Sequence, residues 1–489
     1  MMNIGQRYSN STTWLIIAVC FVSRIPMLTS PNMLLDGDES IVGLMAKHLY
    51  DGRELPLYFY GQRYGFSLIE ELFIMPFYAM MGMTGLAVKL AMLSLWTSGV
   101  VFLYKTFYRI NTSYSWVPLV LTIIFILSPA WTEWSMKARG GYVSAFTLSS
   151  VIIYLLTNAK VKSYGYYILI GFLMVLVYEC MPLWLPLPML LFAYKLKSDF
   201  DVKKVILFII AVLMPEILLH IYKSGLYSVH ETDKILPISD WLKNIPRVPE
   251  FLYTSLHGYH YFFTVLQPDI WQVVFASGFI ALIILCIGYG IYMLINQRLK
   301  NGYLIVLMLA LIAALSVAVM NEYKHYRLLL PVPALALLLL QVVLNYIKPR
   351  KWKMLLTSSV FIFSGIGSVI AFRNFKYTAV TADAARKTGE YLSQKGIKYV
   401  YSGHIYLGWQ VMFYSQEKVI SRDASKLGRM PEYSLRIDSA LKNGEKTALI
   451  GMKDDYYGMN VQNPVFIDLI YVKPDMPLNE LSKAFAIAP

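Results

Sequence analysis

The chain has 489 residues, of which 57% are hydrophobic and only 15% are charged. A soluble protein carries about 25% charged residues, so the composition excludes an ordinary soluble enzyme and indicates a polytopic α-helical membrane protein. The net charge of +14 does not indicate nucleic-acid binding, because the basic residues cluster between hydrophobic segments.

Hydrophobic segments long enough to cross a bilayer predict about eleven transmembrane helices. They lie near 13–30, 85–104, 116–132, 141–157, 164–180, 181–194, 205–222, 270–295, 302–320, 328–347 and 354–372. The first segment has no small-residue cleavage site and leads directly into an acidic loop. It is therefore interpreted as a membrane helix and not as a cleaved signal peptide.

The distribution of Lys and Arg orients these helices. With the N-terminus in the cytoplasm, the basic clusters share the cytoplasmic side and most acidic loop residues lie outside, as the positive-inside rule requires. The clusters are Lys105/Arg109, Lys160/Lys162, Lys195/Lys197/Lys203/Lys204, Arg298/Lys300 and Lys348/Arg350/Lys351/Lys353. An odd number of spans then leaves the C-terminus outside.

Two loops and a C-terminal domain are predicted outside the membrane. The loops, about 31–84 and 223–269, belong to a membrane domain of residues 1–374, and the C-terminal domain is 375–489. In that domain the spacing predicts helices at Thr381–Gln394 and Pro431–Lys442, and strands at Tyr399–Tyr401, Lys418–Ser421, Thr447–Met452 and Val465–Val472. Alternating helices and strands indicate a small α/β domain.

The first external loop begins with the acidic sequence Asp36-Gly37-Asp38-Glu39. The apolar residues that follow fall at helical spacing and predict a helix along the membrane interface. These residues are Ile41, Leu44, Met45 and Leu49. A second interfacial helix is predicted at Leu68–Met81, where Glu70, Glu71 and Pro76 interrupt the apolar run.

Two roles compete for these acids. Asp36 and Glu39 have the spacing of a capping box, so helix capping alone could explain them. Capping leaves Asp38 unexplained, and a carboxylate in a surround of low dielectric constant suits a general base that takes a proton from a hydroxyl group. Asp38 is therefore the candidate base, with Asp36 as the alternative because both lie within one turn.

Three sequence motifs resemble the first external loop of the GT-C superfamily of membrane glycosyltransferases. They are Asp38-Glu39, Gly43-Leu44-Met45-Ala46 and Phe59-Tyr60-Gly61-Gln62. The superfamily includes the protein O-mannosyltransferases and the lipid A aminoarabinose transferases, and a bacterial subset shares the last motif. The resemblance covers the first loop well and the membrane body loosely. It implies a GT-C fold, catalysis by the acidic motif, and a multi-pass protein of the bacterial inner membrane with a periplasmic C-terminal domain.

The sequence departs from the aminoarabinose transferases at one place. Those enzymes carry a Lys-Pro pair after the first interfacial helix, where this chain has Arg63-Tyr64-Gly65. The role of that lysine is therefore not transferred to this chain.

A basic turn, Lys324-His325-Tyr326-Arg327, is predicted outside, against the positive-inside trend. Arg and Lys can clamp a phosphate group, and anchoring to lipid headgroups is the alternative. The family resemblance implies the first role, because a Tyr/His-x-Arg-x-x-x-Pro pattern before a late span meets the lipid phosphate of the donor. Lys324, His325 and Arg327 are thus the candidate donor-phosphate residues.

Polar and aromatic residues of the outer turns are candidates for substrate binding. They are Tyr60, Gln62, Arg63, Tyr64, Glu70, Glu133, Lys137 and Arg139. For the turn 133–139, a solvated loop with a local ion pair is an equally good interpretation. His257 and His260 lack further ligands at metal-binding spacing. No cofactor is expected; a divalent metal is compatible with the chemistry but not indicated.

These features predict an inverting glycosyltransferase with a polyprenyl-phosphate-linked sugar as donor, since no nucleotide-binding motif is present. The acceptor could be a glycan, a lipid or a protein, with O-antigen, lipopolysaccharide or another surface glycan favoured. A protein O-glycosyltransferase is one alternative. A flippase or transporter of lipid-linked sugars is a weaker one, because it would need ionisable residues near the bilayer middle.

The predicted orientation can be tested with reporter fusions. Alkaline phosphatase, which is active only outside the cytoplasm, should be active when fused after Arg373 and inactive when fused after Lys300. A reporter active only in the cytoplasm should give the opposite pattern at both junctions. Cytoplasmic activity after Arg373 would contradict the orientation and, with it, an external catalytic site.

Overall fold

In a computed structural model of the protein, the structure describes residues 4–29, 35–158, 163–198, 200–228, 236–248, 270–295, 302–320, 326–347, 349–374, 382–423, 428–453, 461–477, 480–482 and 485. A helical domain comes first along the chain, and a small α/β domain follows it. Most of the predicted loop 223–269 lies outside the described residues. So do residues 375–381, which follow the predicted boundary at 374/375.

The helical domain has an α-helix in each predicted hydrophobic segment and in each predicted interfacial segment. Its α-helices are Ile4–Val22, Ile25–Leu28, Gly37–Tyr50, Leu68–Met81, Gly85–Ile110, Val117–Ile126, Pro129–Trp134, Tyr142–Leu156, Tyr164–Cys180, Pro186–Ser198, Val202–Ser224, Ile238–Asn244, Ile270–Ile295, Gly302–Met320, Pro331–Tyr346 and Arg350–Asn374. Short 3₁₀ turns occur at Pro182–Trp184, Ile245–Arg247 and Tyr326–Leu329.

Among the described residues, four helices are long and apolar enough to cross a membrane, namely Asn10–Leu28, Gly85–Ile110, Val202–Ser224 and Arg327–Tyr346. The membrane character of the chain is therefore established, whereas the number of eleven spans stays a prediction.

Local sequence explains where the helices of the first loop begin and end. Helix Gly37–Tyr50, here called the acidic helix, begins after Asp36, whose side chain accepts the backbone N–H of Glu39 at 3.0 Å. Thr84 caps helix Gly85–Ile110 in the same way by accepting the N–H of Ala87. Between them, Gly82 ends helix Leu68–Met81 with a φ of +70°, a conformation that glycine adopts without strain.

A buried arginine, Arg24, anchors the turn that joins helix Val117–Ile126 to helix Tyr142–Leu156. This turn is here called the second external turn, after its predicted location. Nη2 of Arg24 donates to the carbonyl oxygens of Ile126 and Trp131, at 2.9 and 3.2 Å. Its Nε donates to Oγ of Ser135 at 3.0 Å. These bonds satisfy backbone groups of a segment that the sequence predicts as one continuous span, 116–132. The helix in fact ends at Ile126, and the chain turns before Pro129–Trp134.

The C-terminal domain is a five-stranded sheet with helices on both faces. Its strands are β1 Tyr399–Ser402, β2 Ile420–Asp423, β3 Thr447–Met452, β4 Val465–Ile467 and β5 Ile470–Pro474, in the order β2-β1-β3-β5-β4. Its helices are Ala382–Gln394, Ile405–Tyr414 and Pro431–Lys442. β1 is parallel to β2 and β3, and β5 is antiparallel to β3 and β4.

Two predictions for this domain were wrong. The single strand predicted at Val465–Val472 is a hairpin, because the chain reverses at Asp468, which has a φ of +52°. The second error is an omission, since the helix Ile405–Tyr414 was not predicted. This helix, here called the docking helix, packs apolar residues on two sides, so it lacks the amphipathic pattern that marks a surface helix.

The docking helix joins the two domains. Leu407 and Val411 pack among the residues that cover one face of the sheet, whereas Trp409, Met412 and Phe413 join the core of the helical domain. A Cβ atom on Gly37 would lie 2.7 Å from Cα of Tyr406. Only glycine allows the docking helix to approach the start of the acidic helix this closely.

Candidate functional site

The centre of the site is the side chain of Asp36, which is nearly buried. Besides capping the acidic helix, its Oδ2 lies 3.0 Å from Nζ of Lys137 and 2.5 Å from Nη2 of Arg139. Burial by itself would raise the pKa of Asp36, but the charges of Arg139 and Lys137 outweigh it and hold the pKa well below the usual range. Asp36 is therefore a permanently charged anchor for the second external turn.

Glu39 completes the helix cap and forms a second buried ion pair. Its Oε2 accepts the backbone N–H of Asp36 at 3.1 Å, so the capping box is complete. Its Oε1 accepts Nζ of Lys89, from helix Gly85–Ile110, at 2.5 Å. The side chain is fully buried. These contacts give Glu39 a structural function in the described site.

Asp38, two residues after Asp36, occupies a different environment. Its side chain is 20% exposed, and Oδ2 lies 3.2 Å from Nη1 of Arg139. On the other side, Oδ1 lies 3.8 Å from Nη2 of Arg429, a residue of the C-terminal domain. Asp38 is thus a carboxylate at the surface of the site, flanked by one arginine from each domain.

The turn that carries Lys137 and Arg139 is held by a buried carboxylate and two glycines. Glu70 accepts the backbone N–H groups of Gly140 and Gly141, at 3.0 and 2.8 Å. Burial raises the pKa of Glu70 to about 8, although these two N–H donors favour the charged form. Gly141 has a φ of +114°, and a Cβ atom there would lie 2.7 Å from the carbonyl oxygen of Cys180. Any other residue would displace the turn.

Solved structures with this arrangement of domains identify the fold. ArnT from Cupriavidus metallidurans superposes with a TM-score of 0.60 in a crystal structure bound to undecaprenyl phosphate, with 13% sequence identity over 94% of this chain and 97% of ArnT. Its apo structure also has a TM-score of 0.60, with 12% identity over 97% of this chain and 99% of ArnT.

An oligosaccharyltransferase from Archaeoglobus fulgidus, tethered with an acceptor peptide, superposes with a TM-score of 0.52 and 10% identity. That match covers 91% of this chain and 69% of the archaeal enzyme. The sequence matches no protein-family model and no curated protein. Both neighbours belong to the GT-C superfamily. This chain has the GT-C fold.

The GT-C resemblance inferred from the first loop is therefore confirmed at the level of the fold. Within it, the structure brings together six of the predicted site residues: Asp36, Asp38, Glu39, Glu70, Lys137 and Arg139. Their catalytic and binding roles stay predictions. Lys137 and Arg139 face Asp36 and are nearly buried, so the interpretation as a solvated loop is wrong for this part of the second external turn.

The residues of the Tyr60–Tyr64 segment lie in three environments. The hydroxyl group of Tyr60 bonds to Glu54 and to Nδ1 of His48, away from Asp38. Nε of Arg63 donates to the carbonyl oxygen of Leu226 at 3.1 Å and ties the first loop to the end of helix Val202–Ser224. Gln62 is half-buried and Tyr64 is exposed.

Part of the predicted donor-phosphate cluster can be placed in the GT-C fold. The guanidinium carbon of Arg327 lies 5.7 Å from the ring centroid of Tyr142, the residue that begins the helix after Gly141. Arg327 is therefore close to the turn that carries Arg139. Lys324, His325 and the side chain of Glu133 lie outside the described residues, as do His257 and His260. Within the described part of the chain, no group of three His, Cys, Asp or Glu residues is placed to hold a metal ion.

Two charged residues of the site were not predicted from the sequence. Lys89 lies four residues into helix Gly85–Ile110, and an ionisable residue in an apolar span is a signal that could have identified it. Arg429 follows a glycine in a loop of the C-terminal domain, and no local pattern relates it to Asp38. Only the docking of the two domains brings it to the site.

A second polar cluster connects the acidic helix to the C-terminal domain. His48, which is buried, lies 2.8 Å from Glu417 through Nε2 and 3.0 Å from Glu54 through Nδ1. Glu417 also forms ion pairs with Lys47 and Arg53, and it accepts a hydrogen bond from the hydroxyl group of Tyr433. Burial alone would lower the pKa of His48, but the hydrogen bonds to Glu417 and Glu54 more than offset it and raise the pKa.

We expect this junction to weaken as the pH rises. Because the pKa of His48 is higher in the folded protein, its stabilisation is complete below its ordinary value of 6.5 and is lost as the pH rises through the folded value. The melting temperature of the purified protein should therefore fall as the pH rises from 6.5 through the folded pKa of His48. His48→Gln should remove most of this dependence and His220→Gln should not, because His220 is exposed on helix Val202–Ser224. A slope that survives in His48→Gln would contradict this assignment.

Proposed function

We propose that this protein is an inverting glycosyltransferase that moves a sugar from a polyprenyl-phosphate donor to an acceptor outside the cytoplasm. The observation that carries the proposal is Asp38, an accessible carboxylate held between Arg139 and Arg429 beside a buried acidic cap. The GT-C fold supports it, since ArnT with the same fold was crystallised with undecaprenyl phosphate. The favoured acceptor is O-antigen, lipopolysaccharide or another surface glycan.

The electrostatics favour Asp38 over Asp36 as the base. A general base must accept a proton from the substrate, which requires access and a pKa that is not strongly depressed. Asp36 has a depressed pKa because Lys137 and Arg139 surround its carboxylate. Asp38 lies between Arg139 and Arg429 and has an exposed edge that a substrate hydroxyl group can reach. Asp36 would then act by positioning Arg139.

The reaction would be a direct displacement. The acceptor hydroxyl oxygen attacks the anomeric carbon of the donor sugar while its proton moves to the Asp38 carboxylate. The bond between that carbon and the phosphate oxygen breaks, and polyprenyl phosphate leaves with the electron pair. One displacement inverts the anomeric centre. Arg327, with Lys324 and His325, would stabilise the charge that develops on the leaving phosphate.

Two other functions lead to different observations. A protein O-glycosyltransferase would use the same base and donor, and the archaeal neighbour tethered with an acceptor peptide is the reason to keep it. A flippase would move the lipid-linked sugar without breaking the bond to phosphate. Mass analysis of surface glycans and proteins from cells with and without the gene identifies the acceptor. Transfer of the sugar to that acceptor by purified protein then separates a transferase from a flippase, because only a transferase breaks the bond to phosphate.

Asp38→Asn should abolish most transfer. The substitution keeps the size of the side chain but removes the proton acceptor, which typically costs about 100- to 10,000-fold in rate. The measurement is single-turnover transfer by purified, monodisperse protein to the acceptor found by mass analysis. The binding of undecaprenyl phosphate should remain unchanged.

Asp36→Asn is the matched comparison for this experiment. It leaves two buried cations facing a neutral side chain, so it should lower stability by about 3–5 kcal/mol and reduce transfer through misplacement of Arg139. If folded Asp36→Asn were inactive while Asp38→Asn transferred normally, Asp36 would be the base. Normal transfer by both variants would remove the acidic motif from catalysis.

Arg327→Ala should weaken the binding of undecaprenyl phosphate by about 2–5 kcal/mol if the contact is desolvated. Native mass spectrometry of the protein in detergent can measure this loss. Arg327→Lys should retain part of the affinity, and Arg350→Ala, an exposed arginine of the predicted cytoplasmic face, should have no effect. Unchanged binding by Arg327→Ala would assign the basic turn to headgroup anchoring.

A further inference from the structure

An apolar groove opens between helix Ile270–Ile295 and helix Arg350–Asn374, which pack against each other in the helical domain. Its volume is about 140 Å³. Leu285, on one wall, is 65% exposed, so the groove opens to the outside of the helical domain, where a membrane protein meets hydrocarbon chains. The other apolar residues of its walls include Ala281, Leu282, Leu356 and Val360. The groove therefore suits a short run of methylene groups.

The groove lies just below the predicted cytoplasmic end of helix Arg350–Asn374. Leu356 and Val360 follow Lys353 by three and seven residues, so the three side chains share one face of the helix. At a rise of 1.5 Å per residue, the groove residues lie about 5–10 Å deeper than Lys353 along the helix axis. Trp352, beside Lys353, is 63% exposed, as is typical of tryptophans at the interface between membrane and water.

Lys353 is a buried cation whose described partners are all neutral. It is 6% exposed, its Nζ donates to Oγ of Ser113 at 2.6 Å, and the same atom lies 5.3 Å from the ring centroid of Tyr114. The guanidinium carbon of Arg350 lies 5.4 Å from that ring. Among the residues that the structure describes, no carboxylate pairs with Lys353. A buried charge is costly without an opposite charge, so an anion would stabilise this arrangement.

The loop that holds Lys353 is fixed by hydrogen bonds. Nδ2 of Asn345, near the end of helix Pro331–Tyr346, donates to the carbonyl oxygen of Ile110 at 2.9 Å. Its Oδ1 accepts the backbone N–H of Thr112 at 3.1 Å. Ser113 is the next residue, so the partner of Lys353 belongs to a loop whose backbone is tied to a neighbouring helix. The cation is thus held in a preformed site, unlike a lysine that moves freely in solvent.

We propose that Lys353 and Arg350 bind the phosphate of an anionic diacyl phospholipid of the predicted cytoplasmic leaflet, and that the groove takes one of its acyl chains. Basic pockets between membrane helices on the cytoplasmic side suit such headgroups. The phosphate supplies the negative charge that Lys353 lacks, and the chain fills the space between the two helices. This lipid site is independent of the proposed transfer reaction, because it lies at the end of the helices opposite to the predicted location of Asp38.

A binding experiment on the purified full-length protein tests the headgroup contact. Native mass spectrometry in detergent would compare phosphatidylglycerol with phosphatidylcholine of identical chains. One phosphatidylglycerol should bind about 10-fold or more tightly than phosphatidylcholine, through charge-assisted hydrogen bonds. Lys353→Met keeps the apolar stem and removes the charge, so it should weaken phosphatidylglycerol binding by about 10- to 100-fold and leave phosphatidylcholine binding unchanged.

Two variants serve as controls for the charge. Lys353→Arg should retain most of the phosphatidylglycerol affinity, because it keeps a cation at the same place. Lys351→Met removes an exposed lysine from a different face of the helix and should change the affinity little. The melting temperature of each variant without added lipid shows whether it is folded. Phosphatidylglycerol should raise that temperature more in the unmodified protein than in Lys353→Met.

A second pair of variants tests the groove. Ala281→Phe places a ring in the groove and should weaken the binding of both phospholipids about 10-fold or more, because the chain loses its apolar contact. Ile284→Phe is the matched comparison, since Ile284 is 63% exposed on the same helix and its enlargement leaves the groove open. It should bind both phospholipids as the unmodified protein does.

Three results would overturn the proposal. Equal binding of the two phospholipids by the unmodified protein, or unchanged phosphatidylglycerol binding in Lys353→Met, would make the groove an ordinary surface that faces lipid. Undiminished binding in Ala281→Phe would remove the acyl chain from the groove. Undecaprenyl phosphate that displaces phosphatidylglycerol and whose own binding depends on Lys353 would assign the site to the donor lipid.

Discussion

The ion pair of Asp36 with Lys137 and Arg139 is the interaction on which the rest of the site depends. Asp36 caps the acidic helix, and the same carboxylate forms ion pairs with Lys137 and Arg139 of the second external turn. Because all three groups are almost buried, removal of one partner would leave uncompensated charge and cost about 3–5 kcal/mol. Asp36 therefore joins the two segments that form the site, and Asp38 is placed beside Arg139 as a consequence.

The C-terminal domain is coupled to this site through the acidic helix. The docking helix packs against Gly37 and Gly43, where side chains would collide with Tyr406 and Phe413. Glu417 pairs with Lys47 and His48 near the other end of the acidic helix. The two ends of one helix thus carry the acidic motif and a polar junction, so displacement of the domain would disturb both. This coupling explains how a residue as distant in sequence as Arg429 reaches Asp38.

The carboxylates of the first loop make different contacts because they differ in how deeply they are buried. Asp36 and Glu39 are neutralised by buried cations, and Glu70 is bound by the N–H groups of a glycine turn. Each of these holds a segment of chain in place. Within the acidic motif, Asp38 has the most exposed side chain, 20% against 11% for Asp36 and 0% for Glu39, so a substrate can reach it most easily.

The sequence by itself determined the membrane character, the helical segments, the acidic helix and the GT-C resemblance, because these depend on local hydrophobic spacing and on a short motif. It also predicted the capping box, since Asp36 and Glu39 are three residues apart. It left the choice between Asp36 and Asp38 open, and it could not relate Lys89, Gly140, Gly141, Glu417 or Arg429 to the site. Those relations depend on the packing of segments up to several hundred residues apart. Only the tertiary structure decides which carboxylate receives a buried cation and which one stays accessible, because burial and pairing are properties of the folded chain.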